Sequence, residues 1–150
     1  MQAQDPGYEQ RTRDSFARQP AMVTLGVTLE SVEPGRVVLV MPHQGSLTQQ
    51  HGFLHAGIVS AALDTACGYA AFSLMPDDAA VLTIEFKVNL LAPARGPLFR
   101  FEGTVIKPGR TITVVEARAT QHGADGADSK LVATMTATIM TVQGRATLHH

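Results

Sequence analysis

From residue 56 to residue 75 the chain runs through small and apolar side chains, A-G-I-V-S-A-A-L-D-T-A-C-G-Y-A-A-F-S-L-M, and the sole charge among them is Asp64. A run of that length and composition predicts one long buried helix. Downstream the period changes to two: Leu82, Ile84, Phe86, Val88 and Leu90 alternate with Thr83, Glu85, Lys87 and Asn89, which predicts a strand over 81–91. Three further strands are predicted at 98–106, 111–120 and 131–142, separated by 92–97, by Lys107-Pro108-Gly109-Arg110 and by a Gly/Asp-rich stretch at 123–129. Upstream, residues 8–18 suit a short amphipathic helix stopped at the Gln19-Pro20 step. β-branched runs at 23–32 and 36–41 then read as a hairpin about Glu33-Pro34-Gly35. Residues 43–54 are polar and glycine-punctuated, a loop leading into the helix. Two strands, one long helix and four strands make an α+β fold, with an antiparallel sheet wrapped around the helix. The division expected is a polar segment or short helix at 1–22, one domain at 23–143 and a tail at 144–150.

A length of 150 residues allows one domain. Twelve Lys+Arg against thirteen Asp+Glu give a net charge of −1, which argues against nucleic acid, since phosphate backbones are bound by clustered positive charge. One cysteine, Cys67, excludes an intrachain disulfide and a cysteine metal cluster, and it reads as a small core residue. His43, His51, His55 and His122 show no paired ligand spacing, so no metal site is expected; His149 and His150 resemble a tag stub and carry no weight. The first twenty residues lack the apolar core of a signal peptide, so a cytoplasmic setting is expected. A membrane span at 56–75 is disfavoured: Ala, Gly and Ser gain little from lipid, and Asp64 at the midplane costs about 2.5–3.5 kcal/mol.

At about 100° per residue, Asp64 shares a helix face with Gly57, Ser60, Gly68 and Ala71, opposite Ile58, Val59, Ala62, Ala66, Tyr69 and Ala70. The apolar side suits a sheet. The side with tiny residues leaves room for a backbone, a second subunit or a ligand. An unpartnered carboxylate there costs several kcal/mol in desolvation or shifts its pKa upward. A solvated stripe or an arginine pair is the plain alternative, and the lack of any other charge on the helix makes it less natural.

The stretch Q49-Q-H-G-F-L-H-A-G-I-V-S-A-A-L-D-T-A-C-G-Y-A-A71 resembles the helix-start motif of hotdog-fold acyl-CoA thioesterases, particularly the phenylacetate-degradation type. That family has a His-Gly-Gly turn, here His55-Ala56-Gly57, with an acidic residue eight positions after the first Gly, here Asp64. An amide seven residues before that Gly matches Gln49. A Ser or Thr early in the next strand, with Pro ten residues on, matches Thr83 and Pro93. The likeness runs from about residue 24 to 142 and includes the K107-P-G-R-T111 hairpin. Ala56 departs from the usual glycine, which matters only if the backbone there needs a positive φ.

The resemblance implies hydrolysis of acyl-CoA thioesters, with coenzyme A as part of the substrate and no separate cofactor. The N–H of Ala56, helped by Gly57, would form an oxyanion hole with the Gln49 amide. Asp64 would act as general base, or attack directly and form a mixed anhydride. Thr83 would hold the attacking water and meet Asp64 of a second subunit, in a homodimer or dimer of dimers. The resemblance implies that His55 shapes the substrate-binding site rather than acting as a base. Plainer roles stand beside these: His55 as a helix cap, Gly57 for close packing, Gln50 in place of Gln49, Thr83 as an ordinary strand residue. For the coenzyme phosphates the candidates are Arg95, Lys107, Arg110 and Lys130, with Arg110-Thr111 favoured. Phe53, Tyr69, Phe72 and Leu90 are candidates for the acyl pocket. A hotdog dehydratase would need a catalytic His at a Pro-rich helix start, which is not seen here, and a non-catalytic acyl-CoA sensor would keep the pocket without turnover.

Overall fold

The computed structural model describes residues 1–125 and 129–144. The expected tail, beyond Gly144, and the middle of the 123–129 separator lie outside the described residues. The long helix, α3 (Ala56–Phe72), lies across a six-stranded antiparallel sheet made of β1 (Thr28–Glu33), β2 (Arg36–Pro42), β3 (Ala80–Leu90), β4 (Leu98–Lys107), β5 (Ile112–His122) and β6 (Ser129–Val142). The order across the sheet is β1-β2-β4-β5-β6-β3, so β1 and β3 are the edges. Val59, Ala62, Leu63, Ala66 and Ala70 of α3 are buried against Leu39, Phe101, Val115, Ala117, Met135 and Ile139 of the sheet. The α+β hotdog arrangement expected from the sequence is the one found.

The backbones of helix and sheet approach each other tightly at Gly103 in β4. A Cβ there would stand 2.4 Å from the carbonyl oxygen of Ala66 and 3.0 Å from the nitrogen of Cys67, so only glycine lets the helix backbone settle at this depth. Gly68, on the Asp64 side of α3, has more room within the chain: a Cβ there would make an ordinary 3.9 Å contact with Val81.

Of the strand expected at 23–32, residues 23–27 depart. α1 (Tyr8–Ala17) is followed by a second short helix, α2 (Pro20–Leu25), with Pro20 at its first turn and Gly26 at φ +73° ending it, so the strand begins only at Thr28. A boundary between residues 22 and 23 therefore falls inside α2. Met22 and Leu25 are buried, and Phe16 packs edge-on against Tyr69 with ring centroids 5.8 Å apart. Arg11, ion-paired to Asp5 at 2.9 Å, donates to the carbonyls of Phe72, Met75 and Pro76 and satisfies the C-terminal end of α3.

β3 carries a bulge. Thr83 pairs with Ile139 and Glu85 with Thr138, which leaves Ile84 as an extra residue. Side-chain alternation therefore changes phase: Val81 and Thr83 before the bulge, and Phe86, Val88 and Leu90 after it, share the face of Ile139, Ala137, Met135 and Ala133 that looks toward α3.

Candidate active site

The start of α3 is organised by His55, its N-cap. The ring Nδ1 accepts the N–H of Gly57 at 2.8 Å, which requires that nitrogen to be unprotonated and leaves the ring proton on Nε2. A Cβ on Gly57 would press on Nδ1 at 3.1 Å, so glycine makes room for the ring. The cap consumes the Gly57 N–H, which the sequence had offered to the oxyanion hole. Ala56 N–H, the first of the helix, has no acceptor within the chain among the described residues and sits at the positive end of the helix dipole. Among the described residues none other than glycine has a positive φ, so alanine is accommodated at position 56.

Gln49 folds the preceding loop around its own side chain. Its Oε1 accepts from the N–H of His51 at 2.6 Å and of Phe53 at 3.3 Å, and Gly52 turns the chain at φ +84°. With the oxygen so used, the NH₂ end is left to donate. Gln49 lines a pocket of about 190 Å³ with Phe53, Ala56, Val59, Leu90 and Pro93, and Gln50 is not among its lining residues.

Asp64 lies two turns further along α3, half-buried, with Thr83 Oγ1 donating to its Oδ1 at 2.8 Å. Burial pushes the carboxyl above the ordinary range, and the Thr83 hydrogen bond partly offsets this. The two residues meet within one chain; the resemblance had implied Asp64 of a second subunit. β3 runs beside α3 in its own subunit, and the bulge turns Thr83 toward it. Around Asp64 is a second pocket of about 160 Å³, lined by Gln19, Thr65, Gly68, Tyr69, Val81 and Thr83. Burial, then the charge of Asp64, push the Cys67 thiol up, so it is an inert core group.

Eight residues separate Ala56 from Asp64, a rise of about 12 Å along the helix. Of the acyl-pocket candidates, Phe53 and Leu90 line the Gln49 pocket and Tyr69 the Asp64 pocket. Phe72 does not belong: it is 1% exposed, with its ring edge-on to Tyr69 and beneath the Arg11 guanidinium.

The β4–β5 connection with Lys107, Arg110 and Thr111 is exposed at the opposite end of α3 from Ala56. Arg110 shares a cavity of about 440 Å³ with Ala71, Leu74 and Met75. Within one chain the favoured Arg110-Thr111 pair is therefore not beside Gln49. Arg95 is: its guanidinium lies 4.8 Å from the centre of the Phe53 ring, on a loop whose Arg95 and Gly96 N–H groups donate to Gln121 Oε1 at 2.8 and 3.0 Å. Lys130 is exposed opposite Gln121. Gln19 was missed altogether, because the sequence shows it only as the end of a helix. Among the described residues no group of three or more His, Cys, Asp or Glu side chains is placed to hold a metal, and no helix is long and apolar enough to cross a membrane.

A model of the thioesterase superfamily matches residues 51–125. A crystal structure of a thioesterase family protein from Silicibacter pomeroyi is 61% identical, with a TM-score of 0.89 over 92% of this chain and 100% of that one. A Saccharolobus solfataricus protein whose name proposes an esterase is 39% identical over 93 residues; the match spans 61% of this chain and 65% of that protein. The 1,4-dihydroxy-2-naphthoyl-CoA hydrolase of Listeria monocytogenes is 27% identical over 66% of this chain and 80% of its own length. Family model, identity and fold agree: the chain belongs to the thioesterase superfamily and has its hotdog fold.

Proposed function

We propose that the protein hydrolyses acyl-CoA thioesters to a free carboxylic acid and coenzyme A. The observation that carries this is the half-buried Asp64 carboxylate held by Thr83 on the helix whose first N–H, at Ala56, is left open. Membership of the thioesterase superfamily supports thioester hydrolysis, and the coenzyme A hydrolase among the relatives supports the acyl-CoA class.

In the proposed reaction Asp64 accepts a proton from water as the water oxygen bonds to the thioester carbon. The carbonyl oxygen becomes an oxyanion, stabilised by the Ala56 N–H, the dipole of α3 and the Gln49 NH₂. Collapse breaks the C–S bond, and the coenzyme A thiolate leaves with the proton that Asp64 took. A carboxyl raised toward the working pH suits a base.

One carbonyl cannot touch Ala56 and Asp64 of the same helix, which are about 12 Å apart. The reading therefore takes Gln49 and Ala56 from one subunit and the Asp64–Thr83 pair from another, in a homodimer or dimer of dimers. The apolar edge strand supports association: Leu82, Ile84, Phe86 and Leu90 are 46–54% exposed in the single chain. Arg95, beside the Gln49 pocket of its own chain, is a candidate for a coenzyme phosphate alongside Lys107 and Arg110.

Thiol release from short, long and aromatic acyl-CoAs, wild type beside Asp64→Asn, tests this. Hydrolysis that the substitution abolishes is expected. No hydrolysis across the panel would favour an acyl-CoA sensor, and equal rates would remove Asp64 from the mechanism.

A further inference from the structure

Gln19 joins α1 to α2, far from Asp64 in sequence, yet it lines the same 160 Å³ pocket as Asp64 and Thr83. The backbone around it is fixed. Its N–H donates to Phe16 O and its carbonyl accepts from Met22 N, both at 3.1 Å. Pro20 follows immediately, and Met22 and Leu25 anchor α2 in the core. On the α1 side, Ser15 Oγ and Tyr69 OH are 3.0 Å apart, which ties the junction to α3 five residues beyond the carboxylate. The Gln19 carboxamide has no hydrogen-bond partner in the chain among the described residues, and the same holds for Asp64 Oδ2. A pocket that is polar, roomy and lined by two such groups meets the conditions for an ordered water, which needs two to four polar partners.

We propose that Gln19 is a positioning residue of the hydrolytic site, its carboxamide holding, together with Asp64, the water that attacks the thioester. This rests on the thioesterase reading. A water that donates one proton to Asp64 still rotates about that bond; a second proton donated to Gln19 Oε1 fixes its lone pair on the carbonyl. The proton to Asp64 is the one transferred, and the other stays on the oxygen that becomes part of the product acid. A neutral amide does this without adding charge beside the base. The other ionisable groups near the carboxylate on α3 are Cys67 and Tyr69, both favoured in their neutral forms by burial. β3 presents Thr83 there, and Arg18, next to Gln19, acts on Tyr69. Among the described residues no charged side chain contributes to the shift of Asp64.

The test uses Gln19→Ala and the near-isosteric Gln19→Glu in the full chain, with thermal melts to confirm folding. Gln19→Ala should lower kcat roughly 10–100-fold with KM within about twofold of wild type, as loss of an oriented reactant does. Gln19→Glu places a second carboxylate in the pocket, so the acidic limb of kcat and the ¹³C titration of the Asp64 carboxyl should both move to higher pH. Wild-type kcat in Gln19→Ala, or an unmoved Asp64 titration in Gln19→Glu, overturns the proposal. The NMR readout needs no turnover: a shifted titration in a protein that hydrolyses no acyl-CoA would leave Gln19 placed beside Asp64 and overturn the thioesterase reading, and the water role with it.

Discussion

The hydroxyl of Thr83 reaches the carboxylate of Asp64, at 2.8 Å, through a change of phase in its own strand. Under strict alternation the side of β3 that carries Phe86, Val88 and Leu90 would exclude Thr83, leaving it with Glu85, Lys87 and Asn89 on the far face. The extra residue at Ile84 resets the alternation, so that a polar contact to the helix and an apolar face on the same side of the sheet coexist in one strand.

Replacing Asp64 by Asn should lower kcat by about 10²–10⁴-fold, the range for loss of a general base. The stability effect has the opposite sign. The folded-state pKa of Asp64 is raised, so its contribution to stability is fully present below the ordinary carboxylate value of 3.8 and is lost as pH rises through the folded value. Asp64→Asn should therefore melt above wild type at neutral pH and lose that advantage in acid. Thermal melts at both pH values measure it.

Thr83→Val removes the hydrogen bond that favours the ionised carboxylate. The acidic limb of the pH–rate profile should move to higher pH, and Thr83→Ser should restore it. An unmoved limb in the valine variant would mean that this hydrogen bond does not tune the base.

His55→Ala takes the acceptor from the Gly57 N–H and should cost about 0.5–2 kcal/mol, as other lost helix caps do. For a chain of this size that is a fall in Tm of roughly 2–4 °C per kcal/mol. His55→Asn, which also caps, should recover most of it in calorimetry.

A site shared between subunits predicts complementation. Asp64→Asn and Gln49→Ala, each nearly inactive, should regain about a quarter of wild-type activity when unfolded and refolded together in equal amounts, because half of randomly paired dimers would hold one intact site. Activity that stays at the level of the separate variants would place the whole site in one chain. Ile84→Lys, on the exposed edge of β3, should give a monomer in sedimentation and lose activity with Asp64 intact.

The parts of this molecule written in local pattern were readable from residues alone. The lone charge in the apolar helix singled out Asp64, and period-two alternation at 81–91 with the turn residues between the later runs marked the strands that follow it. Thr83 was legible only through family resemblance, since periodicity placed it on the wrong face and a bulge leaves no plain mark in composition. α2 had a signal that went unused: Pro20 at the helix start and Gly26 past its end bracket a turn of helix, against the strand preference of Val23. Arg95 and Gln19 depend on docking between segments distant in the chain, which no local pattern encodes. Phe72 looked like pocket lining because an aromatic side chain suits a core and a binding site equally.

Gly103 gives the helix a datum outside itself. With the backbone of Ala66 and Cys67 seated on β4 at a spot with no side chain to yield, the position of α3 along and above the sheet is referenced to the middle of a strand, and its end loops need not set it. Asp64 is two residues from that fixed point. Changes in the loop that carries Gln49 or in the connection after Phe72 can therefore reshape the pocket walls while the Asp64 carboxylate stays in place.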